Sequence, residues 1–162
     1  MQLNGLILTL PKEIKLLIGA FVIVLSIGFY TGLLFVGETS SANPNGIEEQ
    51  YLGNEDDEDA AVMRFKKSPQ EMLTLVHNHI LSMSIIFFLV GGIISITKLN
   101  KKLKLFLIVE PFISVILTFG GLYLLWTGLL WMKYIVMLSG ILMTLTFAVS
   151  TGIIFKQLLQ KK

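Results

Sequence analysis

Residues 16–36, LLIGAFVIVLSIGFYTGLLFV, form an apolar run of 21 residues without a single charged side chain. A helix needs about 20 such residues to cross the hydrocarbon core of a bilayer. The whole chain shares this character, because 54% of its 162 residues are hydrophobic and its mean hydropathy is +0.75. Only 15% are charged, against about a quarter in soluble domains. The sequence therefore predicts an all-α integral membrane protein.

Three further apolar runs follow, and together the four runs predict four transmembrane helices. The predicted spans cover about 16–37, 69–97, 105–127 and 134–155, and the polar residues 38–68 form the one long loop. Short connections elsewhere favour an up-down-up-down bundle. These elements use the whole length, so residues 1–162 are predicted to form a single membrane domain.

The lysines predict the orientation of the bundle. Nine of them flank one side of the predicted membrane, and the other side has only Arg64, Lys66, Lys67 and Lys133. Basic residues concentrate in cytoplasmic loops. We therefore expect a multi-pass membrane protein with both termini in the cytoplasm. The cytoplasmic set comprises Lys12, Lys15, Lys98, Lys101, Lys102, Lys104, Lys156, Lys161 and Lys162.

The first apolar run admits a second interpretation, a cleaved signal peptide, because Ser40-Ser41-Ala42 is a passable cleavage site. Its 21 residues exceed the 7–15 of a typical signal-peptide core, which favours an uncleaved first span.

The loop that follows contains two local signals and ends in a third. The sequence Asn43-Pro44-Asn45-Gly46 predicts a turn. The acidic run 55–59 lacks the spacing and the central glycine of a calcium loop, so we expect a solvated segment. The sequence Ser68-Pro69-Gln70-Glu71 has the pattern of a capping box, with proline at the first helical position, and predicts the start of the second span.

Composition excludes several classes of function. The chain has no cysteine, which excludes disulfides, thiolate metal sites, iron–sulfur clusters and covalently attached c-type haem. The net charge is only +2, and no basic patch interleaved with aromatic residues lies outside the predicted spans. Nucleic acid is therefore not an expected partner, whereas the lipid bilayer is.

Small residues mark candidate helix-packing faces, because helices in lipid associate through close backbone approach rather than through hydrophobic burial. The first span has Gly28 and Gly32 at a spacing of four. The fourth span continues such a stripe over four turns, and the third has polar or small residues in its outer half. We favour contacts within the bundle, and the alternative is that a stripe docks a partner subunit or a second copy. The residues of the two stripes are Gly28, Gly32, Gly140, Thr144, Ala148 and Gly152.

His77 and His79 are the only histidines, and both fall in the second span. Two residues apart on a helix, they point about 200° apart, so a regular helix cannot aim both at one haem or metal. The stripe of His77 continues through Ser84, Gly91 and Ser95, which predicts that His77 faces the bundle. The functional interpretations are a haem ligand, a metal ligand or a quinone hydrogen-bond donor, and the favoured one is a structural hydrogen-bond network.

Glu110 is an ionisable residue within the third apolar run, about 9 Å along the helix from Lys104. Such a carboxyl is either protonated and hydrogen-bonded or paired with a cation. We expect Ser95, Ser150 or Lys156 as its partner. The alternatives are a structural pair near the interface, which we favour, and a proton or cation relay.

The segment from residue 51 to residue 83 resembles a family. It combines Tyr51-x-Gly53-Asn54-Glu55 in the loop with Lys67-Ser68 before the second span and with His77-x-His79 within it. This pattern is similar to that of small four-span bacterial inner-membrane proteins that carry a Tyr-x-Gly-Asn/Asp-Glu loop and an H-x-H motif. Some members accompany cytochrome systems, so the resemblance adds some weight to a redox-linked role, and it implies the bacterial cytoplasmic (inner) membrane as the location. It also implies that Tyr51, Lys67, His77 and His79 carry any shared function.

Three functions remain in order of preference. The first is a non-enzymatic accessory or assembly subunit of a membrane complex, and the resemblance favours a respiratory complex. The second is a protein that binds b-type haem or quinone through His77 or His79. The third is a small proton or cation transporter that uses Glu110. A hydrolase is not expected, because no nucleophile elbow or metal triad accompanies the histidines.

Overall fold

The computed structural model describes residues 3–40, 43–55 and 62–160, and these are mostly helical. A 3-10 turn, Leu6–Thr9, precedes the first α-helix, and a π-helical turn, Ile116–Gly120, joins α4 to α5. No strand occurs among the described residues. The α-helices are α1 Lys12–Ser40, α2 Pro44–Leu52, α3 Pro69–Ser95, α4 Lys101–Val115, α5 Gly121–Trp126 and α6 Met132–Leu158.

In the described part of the chain, four helical segments are long and apolar enough to cross a membrane: α1, α3, the segment Lys101–Trp126 and α6. The prediction of an all-α fold with four candidate membrane spans is confirmed. These helices extend a few residues beyond the predicted spans at the majority of their ends, because intrahelical hydrogen bonds continue past the apolar run.

The helices α3 to α6 form the core of the molecule, and α1 is peripheral. α4 packs between α3 and α6, and α5 packs on α6. α6 buries ten residues, whereas α1 buries only Val22 and Ser40. Every residue of α1 from 30 to 38 is exposed, on all sides of the helix. One contact of α1 with the bundle is made by Phe29, whose ring stacks on Phe147 of α6 at 4.0 Å between ring centroids.

The helix α2 begins where the sequence predicted a turn, and that prediction is wrong. Asn43 is the N-cap, its Oδ1 accepting the Gly46 N–H at 2.8 Å, and Pro44 takes the first helical position. Asparagine and proline favour helix starts as strongly as turns. The acidic run 55–59 lies largely outside the described residues.

The two described chain ends meet at the connection between α3 and α4. The Gly5 N–H donates to Thr97 O at 3.3 Å and the Ile7 N–H to Ile96 O at 3.1 Å, while Gln157 binds the backbone of Lys98. We call this the lysine-rich end, and the opposite end, which carries α2, the α2 end. That the lysine-rich end is cytoplasmic remains a prediction.

Candidate functional site

At the α2 end, Asn54 joins the end of α2 to the extended segment 62–67. Its Oδ1 accepts the Arg64 N–H at 2.6 Å, its Nδ2 donates to Val62 O at 3.0 Å, and its backbone N–H donates to Arg64 O at 3.0 Å. Two of these bonds come from the side chain and one from the backbone, and all three go to the same extended segment. Asn54 therefore closes the loop between α2 and residues 62–67.

Gly53 can be only glycine at this position. Its φ is +86°, in the region that L side chains rarely adopt. A Cβ would also stand 2.8 Å from Lys66 N and 2.9 Å from Arg64 O. The Gly-Asn pair of the resemblance motif thus has a structural reason, namely the close approach of two backbone segments.

The structure brings Tyr51 and Lys67 together through their backbones. The Lys67 N–H donates to Tyr51 O at 3.1 Å, and Lys67 O accepts the Trp126 Nε1–H at 2.8 Å. The Lys67 ammonium pairs with Glu71 at 3.7 Å. Burial raises the pKa of the Tyr51 phenol. The pair therefore contributes structural contacts between α2, α3 and α5.

Charged side chains fasten α2 to the helices on both sides. Arg64 Nη1 donates to the Thr39 carbonyl at the end of α1 and to Gln50 Oε1 at 3.0 Å. Lys133, at the start of α6, pairs with Glu48 at 2.6 Å. The α2 end thereby links the end of α1 to the core, beyond the exposed residues 30–38.

The two histidines point to different surroundings, as the helical spacing predicted. The ring of His79 lies 4.7 Å from that of Phe119, in the π-helical turn, and its Nδ1 is 2.8 Å from Leu75 O. His77 is exposed. Because about 200° separate the two side chains, His77 lies on the side of α3 away from Phe119.

The prediction that His77 faces the bundle is wrong. The buried stripe of α3 runs through Met72, Phe87, Val90 and Ile94, and His77 lies about 80° from Phe87 around the helix. Of the small residues that share the predicted stripe, only Gly91 is buried. A large apolar side chain, rather than a small polar one, determines which face of α3 packs.

A b-type haem with two histidine ligands does not fit within one copy of the chain. His77 and His79 diverge, and the described residues contain no group of three or more His, Cys, Asp or Glu side chains placed to hold a metal ion. A histidine-bound cofactor would need its second ligand from a methionine or from a partner. His79 is also covered on one face by Phe119.

Glu110 is buried on α4, only 6% exposed. Ser114, one turn along the same helix, donates its hydroxyl to Glu110 Oε1. The second oxygen, Oε2, is buried and has no hydrogen-bond partner among the described residues. This is the one buried side-chain oxygen or nitrogen in the described part of the chain that lacks a partner.

The predicted partners of Glu110 are wrong. Ser95 donates to Gly92 O at 2.6 Å instead, and Lys156 lies towards the chain end, in the last turn of α6. Ser114 takes their place because a residue four positions along a helix lies on the same face. Ser150 of α6 is buried, but no bond joins it to Glu110.

Polar side chains of α4 and the π-helical turn form a seam against α6 that the sequence did not predict as a unit. Thr118 and Ser139 share a hydrogen bond of 2.7 Å across the two helices. Glu110, Ser114 and Thr118 recur every four residues, so they lie along one face, and all three are buried. The spacing could have revealed the seam, but the partner face of α6 could not be identified without the fold.

The small-residue stripes are not contacts within the chain. A Cβ on Gly28, Gly32, Gly140 or Gly152 would meet nothing within 4 Å, and Ala148 is exposed while Thr144 is half-buried. α6 packs instead through the face that carries Val136, Ser139, Met143, Phe147 and Ser150. The favoured interpretation of these glycines is therefore wrong, and docking of a partner remains a prediction.

The four apolar helices, linked through short connections and through α2, define an integral membrane protein with several spans. Residues 41–162, about three quarters of the chain, match the Aq_1264_TM family, a transmembrane helical domain. The chain belongs to this family. The matched region begins directly after α1 and includes α2 to α6. No curated protein and no solved structure matches the chain.

Proposed function

We propose that this protein is a non-enzymatic accessory or assembly subunit of a membrane complex, and that it binds a transmembrane helix of another subunit through α1. One observation carries this proposal. Gly28 and Gly32 lie one turn apart on α1, are exposed, and have no neighbour within 4 Å of a Cβ position. Glycines at this spacing allow two helix backbones to approach closely in lipid.

The surroundings of these glycines support the same function. Residues 30–38 of α1 are exposed on all sides of the helix, yet Arg64 ties the end of α1 to α2. α1 is thus held in place while its flank stays open. A partner helix would find a preorganised surface, which lowers the entropic cost of association.

The test compares glycine-to-leucine variants in native membranes. Gly28→Leu/Gly32→Leu should remove the larger species seen by blue native electrophoresis, because leucine side chains prevent close approach. Gly37→Leu is the matched control, since Gly37 is equally open and lies about 180° from Gly28 around the helix. Both variants should fold, because a Cβ at any of the three positions would meet no neighbour within 4 Å.

Two outcomes would contradict the proposal. If the double variant and Gly37→Leu migrate alike, the Gly28 face is not a docking surface. If two differently tagged copies of the chain co-purify and account for the whole larger species, the protein is a homo-oligomer rather than an accessory subunit.

A second function, proton or cation transfer at Glu110, is favoured by the buried and unpartnered Oε2. An acceptor oxygen without a donor is costly in a low-dielectric interior, and a bound proton or small cation removes that cost. The polar seam from Glu110 to Thr118 would offer hydroxyl groups along α4.

Proteoliposomes that contain a pH-sensitive dye test this second function. Glu110→Gln should abolish flux driven by a pH gradient while Glu13→Gln, an exposed carboxylate on α1, should leave it unchanged. Equal flux in wild type and Glu110→Gln would rule the function out. The haem or quinone alternative has no comparable observation in its favour.

A further inference from the structure

A recess of about 370 Å³ opens at the lysine-rich end, between the α3–α4 connection and the last turns of α6. It lies at the level where α6 ends, at Leu158, which is the level of the membrane boundary for a helix of this length. The lining residues are Lys98, Leu99, Ile153, Lys156, Gln157 and Gln160.

The walls of the recess are fixed by Gln157. Its Oε1 accepts the Lys98 backbone N–H at 2.8 Å, and its Nε2 donates to Lys98 O at 3.1 Å. Gln157 is only 7% exposed. These two hydrogen bonds join α6 to the α3–α4 connection. They hold together the two backbone segments that carry Lys98 and Lys156.

The recess carries the positive charges of Lys98 and Lys156, and no acidic partner in the described part of the chain balances them. Among the residues that the structure describes, no acidic side chain lines the recess, and neither Lys98 nor Lys156 takes part in an ion pair. By contrast, Lys104 donates to Ser95 O and Thr97 O, at 2.8 and 2.7 Å. The carbonyls at the end of α6 contribute about half a negative charge, which two ammonium groups outweigh.

Two apolar residues, Leu99 and Ile153, complete the lining, and Ile153 lies about one turn further into the span than Lys156. Contact with an apolar wall does not favour the binding of a small inorganic anion. It does favour the binding of a phospholipid, because the headgroup stays at the boundary beside lysine while the acyl chain follows the apolar wall. Basic pockets between transmembrane helices suit such anionic headgroups.

We propose that this recess binds the phosphate group of an anionic phospholipid, with Lys98 and Lys156 as the charged ligands and Ile153 beside the acyl chain. The site is independent of the α1 docking face and of Glu110.

Native mass spectrometry of the detergent-purified protein, titrated with phosphatidylglycerol and with phosphatidylcholine, tests the proposal. Wild type should prefer phosphatidylglycerol. Lys98→Gln/Lys156→Gln should lose about fivefold in affinity per lysine, roughly 30-fold in all. The control Lys12→Gln/Lys102→Gln removes two charges at the same end but outside the recess, and should change affinity less than about threefold. Lys98 and Lys156 are exposed, so the variant should keep its melting temperature.

Inorganic phosphate is the competing arm of the experiment. Binding of phosphate alone to wild type, lost in Lys98→Gln/Lys156→Gln and not displaced by lipid, would overturn the lipid assignment in favour of a free phosphate. Equal losses in the two double variants would overturn the site itself, as would equal affinity for the two lipids.

Discussion

The first helix and the three-span core are built from equally apolar sequence, yet they use it differently. α6 buries ten of its 27 residues and α1 two of its 29. The glycines show the same contrast when Gly121 of the core is compared with Gly32 of α1. In α5, Gly121 is packed so closely that a Cβ would stand 2.9 Å from Val136 Cγ2, whereas Gly32 of α1 faces open space. Apolar length therefore makes a span, and side-chain contacts decide which spans form the core.

The family match divides the chain at nearly the same place. It begins at residue 41 and leaves α1 outside. The segments 62–67 and α2 bridge the division, through Arg64 to α1 and through Lys133 and Glu48 to α6. This bridge explains how α1 can be held without extensive packing.

The largest difference in stability between the core and α1 should appear when a phenyl ring is removed from each. Phe147 is buried and contacts both Phe29 and Phe87, so Phe147→Ala should lower the free energy of unfolding by about 3 kcal/mol. Phe35→Ala should change it by less than about 0.5 kcal/mol, because Phe35 is 68% exposed on α1. Unfolding in mixed micelles by titration with SDS measures both. Similar losses would mean that α1 is packed as tightly as the core.

The next effect concerns the glycines. Gly121→Ala should cost about 2 kcal/mol, because the new methyl group overpacks the α5–α6 contact. Gly32→Ala should instead stabilise the isolated protein by up to about 1 kcal/mol through helix propensity. The same SDS titration measures the change in stability of both variants. A loss of stability in Gly32→Ala would reveal a contact on α1 that the structure lacks.

A smaller effect is expected for hydroxyl groups. Thr118→Val removes the interhelical bond to Ser139 of 2.7 Å and should cost about 0.6 kcal/mol, the average for such bonds in membranes. Thr31 bonds only to Gly28 O of its own helix, at 2.9 Å, so Thr31→Val should be neutral. A cost in both variants would show that the loss of a hydroxyl matters irrespective of helix contacts.

The smallest effect at neutral pH belongs to Tyr51. Burial raises the pKa of its phenol in the folded state, so the folded protein holds this proton more tightly than the unfolded chain. Its contribution to stability is complete below about pH 10, the ordinary tyrosine value, and is lost as the pH rises through the folded pKa. Tyr51→Phe should remove this contribution to the loss of stability at alkaline pH, and Tyr30→Phe on α1 is the control. A melting-temperature series from pH 8 to above pH 10 checks this, and identical alkaline slopes in wild type and Tyr51→Phe would contradict it.

Much of the fold could be predicted because its signals are local. Apolar length predicted the four spans, and the capping box at Ser68 and Glu71 is present as expected, with both of its hydrogen bonds formed. α2 could not be predicted, because a helix of nine residues is marginal alone and depends on contacts from Arg64 and Lys133, which are distant in sequence.

The site residues were harder to predict because their contacts depend on the packing face. Gly53 and Asn54 were identified only through a resemblance, although their role is a backbone contact visible in the fold. His77 and the α6 glycines were assigned to the interior from the small residues around them, whereas large side chains such as Phe87 and Phe147 determine the buried faces. For Glu110 the sequence predicted a buried carboxyl, but not Ser114 as its partner.

The central claim is that α1 presents one glycine face to a partner helix in the membrane. Site-specific photo-crosslinking in native membranes tests it most directly, with a photoreactive residue placed at Gly28, at Gly32 and, on the opposite side, at Gly37. Protein adducts of one defined mass at positions 28 and 32, and only lipid adducts at position 37, are the predicted result. Lipid adducts at all three positions would contradict the claim.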